Sequence, residues 1–264
     1  MNKILFRKSL AEEEEFNIAS QYFDVIESRA LIEQNDFVIP RYSALPYFEE
    51  LEKDINILGG RLINNYQEHR YIANLFNWYN DLKDYTPKTW NSLQEVDSDG
   101  PFVLKGETNS RKHLWNTHMF AADKDRLKEV YFRLQDDSLI GSQDIIIREY
   151  ESFKAFDYGI GGIPITKEFR FFCYGDKVLA SGYYWSNFEE IQESNQLNSN
   201  EVPKGFLKKI MKVVSAHTNF YVLDVAQRKD LKWRLVEIND GMMSGLSMVN
   251  AHELYSNLKK VIGD

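Results

Sequence analysis

The sequence predicts a mixed α/β (α+β) fold, on three observations. Short apolar strands alternate with amphipathic helical stretches from KILF through RLINN. A strand-rich middle follows, interrupted by one helical pattern. Near the C-terminus, TKEFRFFCYGDKVLASGYYW and NFYVLDVAQRKDLKWRLVEINDGMMSGL each read as two strands folded back on a turn. A chain of 264 residues with 43% apolar content can bury a core and reads as one compact unit, or as one unit made of two or three lobes. The expected division is an N-terminal α/β lobe over 1–90, a central subdomain over 91–150 and a C-terminal subdomain over 151–264.

KILF opens as a strand, and AEEEEFNIASQYFDVIESRALIEQ follows as one helix whose first-turn glutamates suit the helix dipole. FVIPRYS is a second strand. ALPYFEELEKDINILGG is a helix stopped by Gly59 and Gly60, and RLINN is a third strand. YQEHRYIANLFNWYNDL reads as a single aromatic-rich helix, ended where Pro87 turns the chain. After the polar QEVDSDG come the strand PFVLK, a helix over Lys124–Gln135 and the buried strand of DIIIREYE. In KGFLKKIMKVV, Phe206, Leu207, Ile210, Met211 and Val214 form an apolar stripe, which leaves Lys204, Lys208, Lys209 and Lys212 on a solvated face. ESNQLNSN is a low-complexity loop.

Several classes are disfavoured. No stretch reaches the roughly 18 apolar residues of a membrane span, and the first residues turn acidic before a signal-like run develops, so the expectation is a soluble, cytoplasmic protein. Cys173 is the one cysteine, which excludes an internal disulfide and a cysteine zinc cage; its apolar setting, FRFFCY, favours core packing over a reactive thiol. A net charge of −8 opposes broad capture of nucleic acid, although Arg111 and Lys112 form a local basic patch.

Four places carry chemistry. Lys105 ends a strand beside the glycine-started, basic loop GETNSRKHLW, an arrangement that suits a phosphate cradle as well as a plain exposed lysine. Arg148, Glu149 and Tyr150 mark where a buried strand meets either a pocket able to seat a purine or a simple ion pair. In the hairpin that turns at Gly175-Asp176, Glu168 and Arg170 share one face, with Arg170 opposite Ser181 and Glu168 opposite Tyr183. In the last hairpin, a two-residue turn at Asp230-Leu231 sets Lys229 against Lys232 and Asp224 against Glu237, with Asn239 on Glu237's face. Opposed carboxylates repel unless a cation lies between them, and Mg²⁺ favours such hard oxygen ligands; solvation of the pair is the alternative.

Taken in order, these pieces resemble the ATP-grasp family. The Asp224, Glu237, Asn239 spacing is similar to the metal-binding end of D-alanine:D-alanine ligases, and EFRFF resembles the Asp/Glu-x-Arg strand of ribosomal-protein glutamate ligases. The resemblance extends from about Thr86 to Leu246, with most likeness to a phage and bacterial subgroup marked by two arginines and one lysine. It implies two α+β subdomains that grip ATP behind a short N-terminal lobe. In such a protein Lys105 and the loop from Gly106 through Arg111 to Lys112 hold phosphates, Glu149 and Tyr150 hold adenine and ribose near Arg148, and Glu168 and Arg170 face the nucleotide. The resemblance further implies that Asp224, Glu237 and Asn239 bind one or two Mg²⁺. Lys105 and Arg170 are the implied catalytic residues, in an ADP-forming ligase that joins small-molecule or peptide carboxylates to amines. One departure is that EHRYIANLF lacks an earlier phosphate lysine found in many members, for which His69 or Arg70 would substitute. Competing readings are a phosphotransferase at the same nucleotide site, a nucleotide-binding protein without turnover, and a nucleic-acid end-binding or repair protein that uses Arg111, Lys112, His113 and Trp115.

Overall fold

A computed structural model describes residues 1–7, 13–186 and 197–263. Glu12 and residues 193–196 of ESNQLNSN lie outside the described residues. The N-terminal sheet is parallel, in the order β2 (Asp24–Ile26), β1 (Asn2–Leu5), β3 (Phe37–Pro40) and β4 (Arg61–Leu62). Helices α1 (Glu13–Ala19) and α2 (Phe48–Ile57) serve as connections. The long helix expected after KILF is therefore a correction: it stops at Ala19, because Val25 and Ile26 join the parallel ladder opposite Ile4 and Leu5. Gly59, at φ +85°, ends the run after α2 in a conformation glycine adopts without strain.

The single helix expected over YQEHRYIANLFNWYNDL is two, α3 (Tyr66–Ala73) and α4 (Leu75–Leu82). Asn74 separates them by adopting extended backbone and accepting a hydrogen bond from the Phe76 amide at 3.0 Å, which caps the second helix. Helix α3 starts on a full capping box between Asn65 and Glu68, worth about 1 kcal/mol. Both helices pack on the C-terminal sheet: Ile72, Leu75, Trp78 and Leu82 share a core with Phe169, Phe171, Leu223 and Leu235.

The central sheet is antiparallel, ordered β5 (Thr89–Trp90), β8 (Ile145–Glu149), β6 (Phe102–Gly106) and β7 (Phe120–Ala121), and α5 (Lys124–Gln135) covers it through Leu127, Val130 and Leu134. A small ribbon, β9 (Ala155–Tyr158) with β10 (Pro164–Thr166), precedes the C-terminal sheet. That sheet is also antiparallel, ordered β12 (Lys177–Tyr183), β11 (Glu168–Tyr174), β13 (Phe220–Gln227) and β14 (Trp233–Asp240). Helix α6 (Lys204–Val214) buries Leu207, Ile210, Met211 and Val214 and leaves its four lysines exposed. Helix α7 (Ala251–Ile262) packs with the N-terminal lobe. Cys173 is fully buried, and burial pushes its thiol pKa well up. No helix among the described residues is long and apolar enough to cross a membrane.

Both C-terminal hairpins carry a bulge that the sequence reading lacks. In β11–β12 the ladder shifts between Phe172 and Cys173, so Arg170 lies opposite Gly182 rather than Ser181, and Phe169 rather than Glu168 faces Tyr183. In β13–β14 Arg228, not Lys229, pairs with Lys232 across a three-residue turn that ends at Leu231 (φ +70°). That offset puts Ala226 opposite Arg234. A bulge at Val236, facing the step between Asp224 and Val225, cancels it, so Asp224 does face Glu237.

Candidate active site

One face of the C-terminal sheet divides into an apolar and a polar half. Strand alternation puts Glu168, Arg170 and Phe172 of β11 on the same side, with Val222 and Asp224 of β13. Phe172 and Val222 join the core beneath the N-terminal lobe. Glu168 and Arg170 line a cavity of about 560 Å³ between this sheet and the central one. The opposite face, with Phe169, Phe171, Cys173, Leu223 and Leu235, packs on α4 and α6. The bulge in β14 lets Glu237 and Asn239 reach the cavity; in an unbroken strand Glu237 would point the same way as core residue Leu235.

Asp224, Glu237 and Asn239 come together. Asp224 is fully buried and receives a bidentate pair from Arg170, with Nε to Oδ1 at 2.9 Å and Nη2 to Oδ2 at 2.8 Å. Asn239 Nδ2 donates to Asp224 Oδ2 at 3.2 Å, and Arg170 Nη1 donates to the Gly245 carbonyl at 2.7 Å. Lys105 reaches across from β6 and donates to Glu237. Burial alone would raise the Glu237 pKa, but the Lys105 and Lys112 ammonium groups outweigh it and hold the carboxyl at about 2. Glu168 behaves oppositely. Burial, then the Asp224 charge, lift it to about 7 against the pull of Lys112, Thr166 and Arg170. Its carboxylate accepts from Thr166 Oγ1 at 2.9 Å.

Lys112 enters the cavity and donates to the Tyr184 hydroxyl; its ammonium lies 4.6 Å from that ring's centroid and 5.5 Å from that of Trp185. Arg170 lies 4.8 Å from the same Tyr184 ring. Sequence reasoning passed over Tyr184. The signal available was its place one residue beyond a strand end in GYYW. Arg111 does not line the cavity: it forms a bidentate pair with Asp137, whose carboxyl it holds well below the usual range. Gly106 does not line the cavity; it packs against Ile140 and Gln143, where an added Cβ would come within 2.7 Å of Gln143 Oε1.

Arg148, Glu149 and Tyr150 all line the cavity. The guanidinium of Arg148 is tied to Thr86 Oγ1 at 2.6 Å, Thr89 Oγ1 at 3.3 Å and the Val236 carbonyl at 2.6 Å, so it joins the central sheet to β14. Burial lowers its pKa to about 10, which leaves it charged at neutral pH. The Glu149 and Tyr150 amides bond to the Lys88 and Pro101 carbonyls, and the Tyr150 ring meets Phe120 edge-on at 5.3 Å. His69 also lines the cavity, with Nδ1 2.8 Å from Asp240 Oδ2, whereas Arg70 rests over Tyr66.

The donor set fits Mg²⁺. No group of three His, Cys, Asp or Glu side chains able to enclose a metal is present among the described residues. Two carboxylates and an amide oxygen leave half of an octahedral shell to phosphate oxygens and water, as nucleotide-bound Mg²⁺ requires. The cations that now face Asp224 and Glu237 show that these carboxylates demand positive charge.

A family model described as the ATP-grasp domain of family 3 in the two-arginine-one-lysine clade matches residues 92–258. The structure is similar to that of D-cycloserine synthetase, at 11% identity and TM-score 0.64 over the whole of both chains. It is also similar to a RimK-domain ATP-grasp protein from Sphaerobacter thermophilus, at 13% identity and TM-score 0.59, and to D-alanine–D-alanine ligase from Bacillus anthracis complexed with ATP, at 11% and 0.60, again over all of both chains. At such identities the likeness speaks for the fold. No curated protein matches the sequence.

Proposed function

The chain belongs to the ATP-grasp family, in family 3 of the two-arginine-one-lysine clade, and from that premise we propose that it is an ADP-forming ligase that uses ATP and Mg²⁺ to activate a carboxylate for attack by an amine. The observation that carries the proposal is the meeting of Asp224, Glu237 and Asn239 on one sheet face with Arg170 and Lys105 directed at the same carboxylates. ATP lies with its adenine and ribose against Glu149 and Tyr150 and its phosphates between Lys105, Lys112 and Arg170. When bound, Mg²⁺ neutralises the polyphosphate oxygens, and Asp224, Glu237 and Asn239 are the residues that hold it. Lys105 then turns from Glu237 to a phosphate oxygen. Arg170, anchored by Asp224, stabilises the charge on the phosphoryl group as the substrate carboxylate attacks it, which gives the acyl phosphate and ADP. An amine displaces the phosphate to form an amide.

Arg111 and Lys112, on which a nucleic-acid reading would lean, are engaged with Asp137 and Tyr184. The test is ADP release from ATP and Mg²⁺ in the presence of amino acids, peptides or RNA, with mass spectrometry of the products. Glu237→Gln abolishes Mg²⁺-dependent turnover and keeps the fold; undiminished turnover removes the metal assignment. A stable phosphorylated product without an amide identifies a phosphotransferase.

A further inference from the structure

Position along β14 maps onto position in the cleft. Arg234 bonds Glu151, next to the Glu149–Tyr150 segment, and the Val236 carbonyl bonds Arg148. Glu237 and Asn239 come next, and Asp240 ends the strand, four residues or roughly 13 Å beyond Val236. Asp240 therefore lies past the candidate metal ligands, away from the Glu149–Tyr150 segment; alternation puts it with Ile238 on the other side of β14 from Glu237 and Asn239, and all four line the same cleft.

The Asp240 carboxylate is fixed from two sides. Its Oδ1 accepts from the Met242 amide at 2.8 Å and faces Asn64 Nδ2 at 3.4 Å, and its Oδ2 meets His69 Nδ1 at 2.8 Å. The His69 ring is pinned flat on Phe48, with centroids 4.0 Å apart and planes 9° apart, and the residue is 3% exposed. In the neutral ring, giving Nδ1–H to the carboxylate leaves the lone pair on Nε2. Among the described residues no hydrogen bond to His69 Nε2 is found, and His69 lines the cleft. Ser43, Leu45, Met243 and Ser244 line the same cleft.

We propose that His69, oriented by Asp240, is the general base that takes the proton from a primary amine as it attacks the acyl phosphate. The inference rests on the ligase reading above. The nitrogen lone pair forms the C–N bond, and the C–O bond to phosphate breaks with its electron pair leaving on inorganic phosphate. The proton shed by nitrogen passes to Nε2 and then to solvent, and Asp240 stabilises the transient imidazolium. His69 thus serves the second half-reaction and does not stand in for a phosphate-binding lysine.

Hydroxylamine, which is unprotonated at neutral pH, separates the two halves. The full chain is incubated with ATP, Mg²⁺ and the amino acids or peptides that elicit ADP release, with and without hydroxylamine, and hydroxamate and amide are measured by mass spectrometry for the wild type and for His69→Gln, which retains a donor for Asp240. The expected result is equal hydroxamate formation and equal thermal stabilisation by ATP, with amide formation slowed roughly 10²- to 10⁴-fold in the variant. Undiminished amide formation overturns the base. Loss of both products from the variant also overturns it, since His69 would then act in activation or folding. Absence of hydroxamate from the wild type overturns the ligase reading, and the base with it.

Discussion

Replacing Asp224 by asparagine tests how far the floor of the cleft depends on one buried ion pair. Arg170 is 8% exposed and Asp224 fully buried, and two of the three Arg170 donor contacts end on that carboxylate. Asparagine keeps the shape and one acceptor but removes the charge and turns an NH₂ towards a donor. Breaking one side of a buried pair costs about 3–5 kcal/mol. The surviving bond from Arg170 to the Gly245 carbonyl places this change at the lower end, about 3 kcal/mol. For a chain of this size that lowers Tm by roughly 6–12 °C. Thermal unfolding followed by tryptophan fluorescence without nucleotide or metal measures it. The double variant Arg170→Met/Asp224→Leu, which removes both charges, should recover most of the loss. A Tm for Asp224→Asn within about 2 °C of the wild type would refute the argument that this pair is desolvated and mutually dependent.

The Glu168 pKa of about 7 in the folded chain lies above its unfolded value, so Glu168 supports folding fully below about pH 4.5 and that contribution disappears as pH rises through 7. Glu168→Gln should therefore be more stable than the wild type at pH 8 by up to about 3 kcal/mol and no more stable at pH 4, in urea titrations at both pH values; a difference independent of pH rules out the carboxyl as its source. Lys105→Ala should weaken ATP binding by about 1–3 kcal/mol in calorimetry, as the loss of a charge-assisted contact does, and an unaltered affinity puts the phosphates elsewhere. Cys173 should stay unmodified by a thiol reagent in the native chain and react only on unfolding, since burial disfavours its thiolate; modification at native rates contradicts the buried setting.

The ATP-grasp fold was legible because its strands are strongly apolar and its helices strongly periodic, and because VEINDG with Asp224 upstream is a compact pattern. What was not legible depended on partners distant in sequence. The helical rhythm of AEEEEFNIASQYFDVI continues past Ala19, and only pairing with β1 turns Asp24–Ile26 into a strand. Nothing local marks Asn74 as a break until its side chain caps α4. Arg111 read as a phosphate ligand because its partner, Asp137, lies 26 residues away. His69 shows the same limit, since both Asp240 and Phe48 reach it from other elements.

The last hairpin shows how a correct pairing can arise from two departures. A two-residue turn and an unbroken ladder lead to Asp224 opposite Glu237, and so do the three-residue turn and the bulge that the chain contains. The two routes agree on the pairing but differ in what they do to side chains. Leu235 has to enter the core shared with α4 and α6 while Glu237 has to face the cleft, and strict alternation would send both to one side. The extra residue, Val236, resolves the conflict. It resets the alternation between a buried leucine and a functional carboxylate, and its carbonyl, freed from the regular ladder, accepts Arg148 from the central sheet. The irregularity that a sequence pattern cannot announce is therefore what lets one strand serve a core on one face and a polar cleft on the other.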